Sequence, residues 1–84
     1  MCSTVFSLFR LQVVADADPH ALARVLERFQ NSNVLPRRVS AEVGTNDILH
    51  IQVDVCGLAD EQLALIAALV RRAPSIVNAY WHRV

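Results

Sequence analysis

The stretch Asp16-Ala17-Asp18-Pro19-His20 places two carboxylates and an imidazole in a short turn between a strand-like and a helix-like segment. Such a cluster could hold a cation, or sit where free N–H groups at a helix start receive an anionic substrate. Capping is the simpler account, since it alone explains Asp18 and Pro19. The Asp18 carboxylate would accept first-turn N–H groups, and Pro19 would take the first helical position, where its missing N–H costs nothing. Asp16 is then a solvated neighbour and His20 a surface residue. A second group of polar side chains emerges from alternation along the chain. Arg10, Gln12, Arg38, Ser40, Glu42, His50, Gln52 and Asp54 all fall on the outward side of strand-like segments. His50 and Asp54 could work as an acid–base pair only inside a cleft, which an open sheet does not provide. Arg37 could grip a carboxylate bidentately at a subunit seam, or serve as an edge charge against aggregation. No catalytic residue is assigned.

The bulk composition narrows the function classes. The 84 residues make one domain, residues 1–84, at the small end of what folds alone. Eight arginines and no lysine balance eight acids, so the formal net charge is zero. A general electrostatic grip on nucleic acid or anionic lipid is therefore not expected. An RNA-binding sheet would show stacking aromatics on its central strands, and here His50 and Gln52 stand in such places. No apolar run approaches the ~18–20 residues of a membrane span. The start MCSTVFSLFRLQVV reads as a strand rather than a signal peptide. Cys2 and Cys56 fit no metal spacing and read as free thiols in a reducing cytoplasm. There is no glycine-rich phosphate loop and no nucleophile motif, so neither a cofactor nor a metal is expected, and the chain reads as a non-enzyme.

The elements that must position these residues follow from periodicity. Residues 4–14 alternate, with Val5, Phe9, Leu11 and Val13 on one face and Phe6, Leu8, Arg10 and Gln12 on the other. A helix capped by Asp18 runs to about Gln30, with the stripe Leu22, Val25, Leu26 and Phe29 inward and Arg24, Glu27 and Arg28 wet. Asn31 to Asn33 stop it, since Asn tolerates the left-handed backbone of a helix exit. Residues 36–43 alternate with Val39, Ala41 and Val43 inward, and Pro36 marks a sheet edge. After a hairpin turn at Gly44 to Asn46, residues 48–56 place Leu49, Ile51, Val53 and Val55 inward. Asp60 would cap a second helix to about Arg72, striped by Leu63, Ile66, Ala67 and Val70. Residues 76–83 form a last strand, on which Ile76 and Ala79 need a bulge to share the core face. Trp81 and Tyr80 read as core and rim. The order βαββαβ describes a ferredoxin-like α+β sandwich: a four-stranded antiparallel sheet with two helices on one face.

LFRLQVVADADPHALARVLERF, NVLPRRVSAEV, DILHIQVDV and PSIVNAYW together resemble an ACT domain, a small regulatory module that often binds amino acids, over nearly the whole chain. The resemblance is strongest to the amino-terminal part of the acetolactate synthase small subunit and to short stand-alone ACT proteins. It implies a cytoplasmic homodimer or higher oligomer that takes an amino acid or similar effector and modulates an amino-acid biosynthetic enzyme. A ligand-free dimerisation module is the alternative. By resemblance, the effector site comprises Asp16, Ala17, Asp18, Pro19, His20, Ala21 and Leu22 of one subunit with Val34, Leu35, Pro36 and Arg37 of its neighbour. His20 stands at the family's glycine, Ala17 at a frequent ligand-holding Asn, Leu35 at a polar position, and Asn33 at the glycine of the helix exit. The site is thus poorer in polar groups than the family's usual one. The edge strand, through Pro36, Arg38, Ser40 and Glu42, is the expected dimer interface.

Overall fold

Two central strands with strict alternation organise the domain. In the computed structural model, which describes residues 7–84, β1 (Leu8–Asp16) and β3 (Ile48–Cys56) pair antiparallel, with Leu11 opposite Val53 and Val13 opposite Ile51. Leu11, Val13 and Ala15, with Leu49, Ile51, Val53 and Val55, bury the side of the sheet that faces the helices. Against them lie α1 (Ala21–Asn31), through Ala21, Val25 and Phe29, and α2 (Asp60–Arg71), through Leu63, Ile66, Ala67 and Val70. Leu22 is only partly buried, because the inward stripe of α1 runs through positions four apart rather than through Leu22 and Leu26. β2 (Arg38–Val43) and β4 (Ile76–Arg83) complete the sheet in the order β2-β3-β1-β4. This is the ferredoxin-like α+β sandwich that the element order predicts.

The two helix exits and entries show how local sequence chooses the turns. At the end of α1, Asn33 is left-handed (φ 58°), the Val34 N–H donates to the Phe29 carbonyl (2.9 Å) and the Asn33 N–H to Gln30 (3.0 Å). That pair of bonds is a Schellman closure with Asn in the position usually held by Gly. At α2 the expected cap is corrected. Asp60 lies inside the first turn, Ala59 holds the cap position, and the Gln62 side chain accepts the Ala59 N–H (3.1 Å). One more methylene, and a place three residues after the cap, give Gln62 the reach back that Asp60 lacks from its position.

β4 contains the expected irregularity. The pairing with β1 shifts between Val14 and Ala15, so Val14 faces Asn78 and Ala15 faces Ile76. Val77 is the extra residue and is exposed, which lets Ile76, Ala79 and Trp81 all face the core. The Trp81 indole N–H donates to the Leu63 carbonyl (2.6 Å) and its ring meets Phe29 edge-on at 6.2 Å. Tyr80 is exposed.

Three further expectations are corrected. Val39, Ala41 and Val43 do alternate, but all six residues of β2 are exposed. α2 packs on β4 and α1 packs beside α2, so the helical layer sits toward the β4 edge and leaves the inner face of β2 uncovered. Cys56 is disulfide-bonded, and no cysteine among the described residues is free, contrary to the free-thiol reading. The first strand begins at Leu8 and runs to Asp16; the parts of that reading resting on Val5 and Phe6 lie outside the described residues. Among the described residues no helix is long and apolar enough to cross a membrane.

Phe29 touches both helices' shared core and Trp81, so Phe29→Ala should cost about 3–5 kcal/mol. A domain of this size has only about 4–13 kcal/mol in total. Urea unfolding followed by circular dichroism should show a midpoint shift of that order, whereas Phe29→Leu should cost far less.

Candidate functional site

The turn from β1 into α1 is tied down from three directions. The Asp16 N–H donates to the Ser75 carbonyl (2.8 Å) and the Ala17 N–H to the Asp47 carbonyl (3.1 Å). These bonds fasten the turn to the α2–β4 and β2–β3 connections. Asp18 sits at their centre. One carboxylate oxygen accepts the His20 N–H (2.9 Å), with the His20 Nδ1 at 3.2 Å. The other accepts the Ser75 hydroxyl (2.7 Å) and an Arg24 guanidinium N–H (2.9 Å). The His20 N–H, the Ser75 hydroxyl, the His20 ring and the Arg24 charge together hold the Asp18 carboxyl well below the usual aspartate range, against a smaller opposing effect of desolvation.

The capping reading is therefore refined. Regular helix begins at Ala21, and Asp18 bonds the turn before it rather than the first α-helical turn. Arg24, expected on the wet side, is half-buried because it turns back to Asp18. A consequence for ligands follows. The backbone donors from residue 16 to 21 are all engaged within the chain: Asp18 donates to the Asp16 carbonyl (2.7 Å), Ala21 to the Asp18 carbonyl (3.0 Å), and Pro19 has no N–H. Asp16, Ala17 and His20 are exposed, so the Asp16 carboxylate and the His20 imidazole are the polar side-chain groups of this turn that project into solvent.

The second half of the expected site, Val34 to Arg37, lies at the other end of α1. An 11-residue helix spans ~16 Å, so one protomer does not bring Asp16–Leu22 together with Val34–Arg37. What surrounds the second half is a cavity of about 580 Å³ lined chiefly by apolar groups, among them Leu26, Phe29, Val34, Leu35, Pro36 and Val39, with Gln30 and Asn33 at its polar margin. Leu35 is 87% exposed at its mouth. The Arg37 N–H donates to the Asp54 carbonyl (2.7 Å), which fixes the entry to β2, while the Arg37 side chain is exposed. Hydrophobic spacing had marked Leu26 and Phe29 as core stripe; that they also line an open cavity depends on where β2 runs.

On the opposite face of the sheet, Asp54 is buried rather than solvated. Arg10 holds it side-on, Nε to one oxygen at 2.7 Å and Nη2 to the other at 3.0 Å. Asp54 is thus committed to Arg10, and the His50–Asp54 acid–base pair does not form. Among the described residues no group of three or more His, Cys, Asp or Glu is placed to hold a metal ion.

Fold and site together define a small βαββαβ module with an uncovered edge strand beside an apolar cavity. The sequence matches the ACT-like domain family over residues 3–84, and the chain belongs to that family. ACT domains are in general regulatory and ligand-binding modules. Solved structures agree on the fold. The C-terminal domain of the MgtC protein from Mycobacterium tuberculosis is 12% identical, with a TM-score of 0.79, covering 100% of this chain and 94% of that one. The ACT domain from GTP pyrophosphokinase of Chlorobium tepidum is 8% identical, with a TM-score of 0.77, covering 92% and 99%. A homoserine dehydrogenase from Thiobacillus denitrificans is 13% identical, with a TM-score of 0.72; the match covers 93% of this chain but 17% of that enzyme. None of the curated proteins matches the sequence.

The Asp18 hub predicts a signed pH dependence. A carboxyl whose folded pKa lies below its unfolded value near ~3.9 contributes stability above that pH, and the contribution is lost as pH falls toward the folded value. Asp18→Asn should therefore melt below the wild type at pH 7, with the gap narrowing as the pH is lowered from about 5 to 2. A gap that stays constant across thermal melts in that range would show that the charge of Asp18 is not what holds the turn.

Proposed function

We propose that this chain is a regulatory module that works as a homodimer. An amino acid or similar small effector would bind where the β1–α1 turn of one copy meets the α1–β2 segment of another, and its binding would modulate a partner enzyme. The observation that carries this reading is the apolar cavity opening beside the bare β2 edge. Leu35, Val39 and Val43 are all exposed there, on or just before a strand whose outer backbone groups have no partner strand among the described residues. A second copy pairing along that edge would cover them and would bring its own Asp16–Leu22 turn toward Val34–Arg37. The apolar lining favours an effector with an apolar side chain, and the Arg37 guanidinium is the group suited to its carboxylate. The resemblance in sequence favours acetolactate synthase of branched-chain amino acid biosynthesis as the enzyme regulated, and the cytoplasm as the place.

A specific observation favours a second reading, a dimerisation module without an effector. The engaged donors of residues 16 to 21 leave the turn with little to offer a ligand except the His20 ring and the exposed Asp16 carboxylate.

Two measurements test these readings. Sedimentation equilibrium at micromolar concentration should give twice the monomer mass for the wild type and the monomer mass for Val39→Lys/Val43→Lys, whose exposed positions leave the core untouched. A thermal-shift screen against the twenty amino acids should then give a hit if an effector binds, since a hundredfold excess over Kd adds about 2.7 kcal/mol. Ala17→Leu should abolish the response while leaving the unliganded melting temperature nearly unchanged. A dimer with no response to any amino acid would favour the ligand-free module.

A further inference from the structure

The outer face of the sheet, away from both helices, carries a polar concavity of about 210 Å³ lined by Arg10, Arg38, Ser40, Gln52 and Asp54. Strand register explains why these five meet. Asp54 on β3 lies opposite Arg10 on β1 and opposite Arg38 on β2, and in the next rung Gln52 lies opposite Ser40. Two guanidinium groups thus flank one carboxylate. Arg10 takes both oxygens of Asp54 through Nε and Nη2, which leaves its Nη1 without a partner among the described residues and locks the fork in place. The Arg38 side chain makes no hydrogen bond or ion pair among the described residues, and neither does the Ser40 hydroxyl or the Gln52 side-chain amide. The concavity therefore holds one positive charge in excess and several donors with nothing to bind.

We propose that this concavity is a binding site for a small oxyanion, either a phosphate group or a carboxylate. Arg38 and the free Nη1 of the pinned Arg10 supply the charge, and Ser40 and Gln52 add hydrogen bonds. Guanidinium forks match both oxyanions bidentately, and a fork already held by a buried carboxylate loses little freedom on binding. The concavity has room for an anionic head group. Pairing of two copies along β2 would extend the sheet and leave this face open, so the site is separate from the effector site proposed above and does not rest on it.

The test is a titration of the full ¹⁵N-labelled chain with inorganic phosphate and, separately, with acetate, in a low-chloride buffer at pH 7, followed by NMR. Saturable shifts should centre on the amides of Arg38, Ser40 and Gln52 and on the Arg10 Nε resonance. Arg38→Gln, on an exposed edge strand, should weaken binding at least tenfold, and Ser40→Ala severalfold, while Arg72→Gln at the end of α2 should change nothing. Preference for phosphate or for acetate identifies the oxyanion, and either supports the site. Shifts that do not saturate, that spread evenly over all arginines, or that persist unchanged in Arg38→Gln would overturn it.

Discussion

The structure depends on how far two helices reach across one face of a four-stranded sheet. α2 seats on β4, and Trp81 ties the two together by donating to the Leu63 carbonyl. α1 then packs beside α2, with Phe29 against the Trp81 ring. This arrangement buries the inner faces of β1 and β3, apart from the partly buried Phe9 at the start of β1, and leaves that of β2 in solvent. A chain this short buries a small share of its surface even when fully folded, so an uncovered apolar strand face is a considerable part of what remains to be hidden. The cavity under β2, the exposure of Leu35 and the proposed pairing of copies all follow from that displacement of the helical layer.

The two ends of the sheet handle polarity differently. At the β1–α1 end, one carboxylate gathers a backbone N–H, a hydroxyl, an imidazole and a guanidinium, and joins the turn to the α2–β4 connection; Asp18 and Ser75 are 57 residues apart. Charge-assisted bonds of this kind order a turn that would otherwise cost conformational entropy to hold. They also use up the donors that a ligand would need, which is why the same feature bears on both readings of function. On the outer face, Asp54 is satisfied by Arg10 alone, and the surplus falls on Arg38. A buried carboxylate between two arginines is neutralised by one and leaves the other available.

Much of this was legible in the residues. Alternation placed Leu49, Ile51, Val53 and Val55 inward, a 3.6-residue period placed Leu63, Ile66, Ala67 and Val70 on one stripe, and the facing of Ile76 and Ala79 demanded a bulge that the strand indeed contains. Asn33 announced a left-handed helix exit. These are local facts, set by side-chain size, backbone sterics and the two periods of regular structure. The errors were of another kind. Val39 and Val43 alternate as faithfully as Val53 and Val55, yet period tells which side of a strand a residue faces and not whether anything covers that side. Asp54 looked like one of several outward polar residues because its partner, Arg10, is 44 positions away. Asp60 had the right chemistry for a cap and stood one residue past the place to use it.

The sequence by itself therefore determined the elements, their order, their inward faces and the family to which the chain belongs, because each is written in neighbouring residues. Only the tertiary structure decided which strand goes uncovered and which carboxylates are already committed. Those outcomes depend on distances between residues remote in the chain, and the packing of the helices on the sheet sets them.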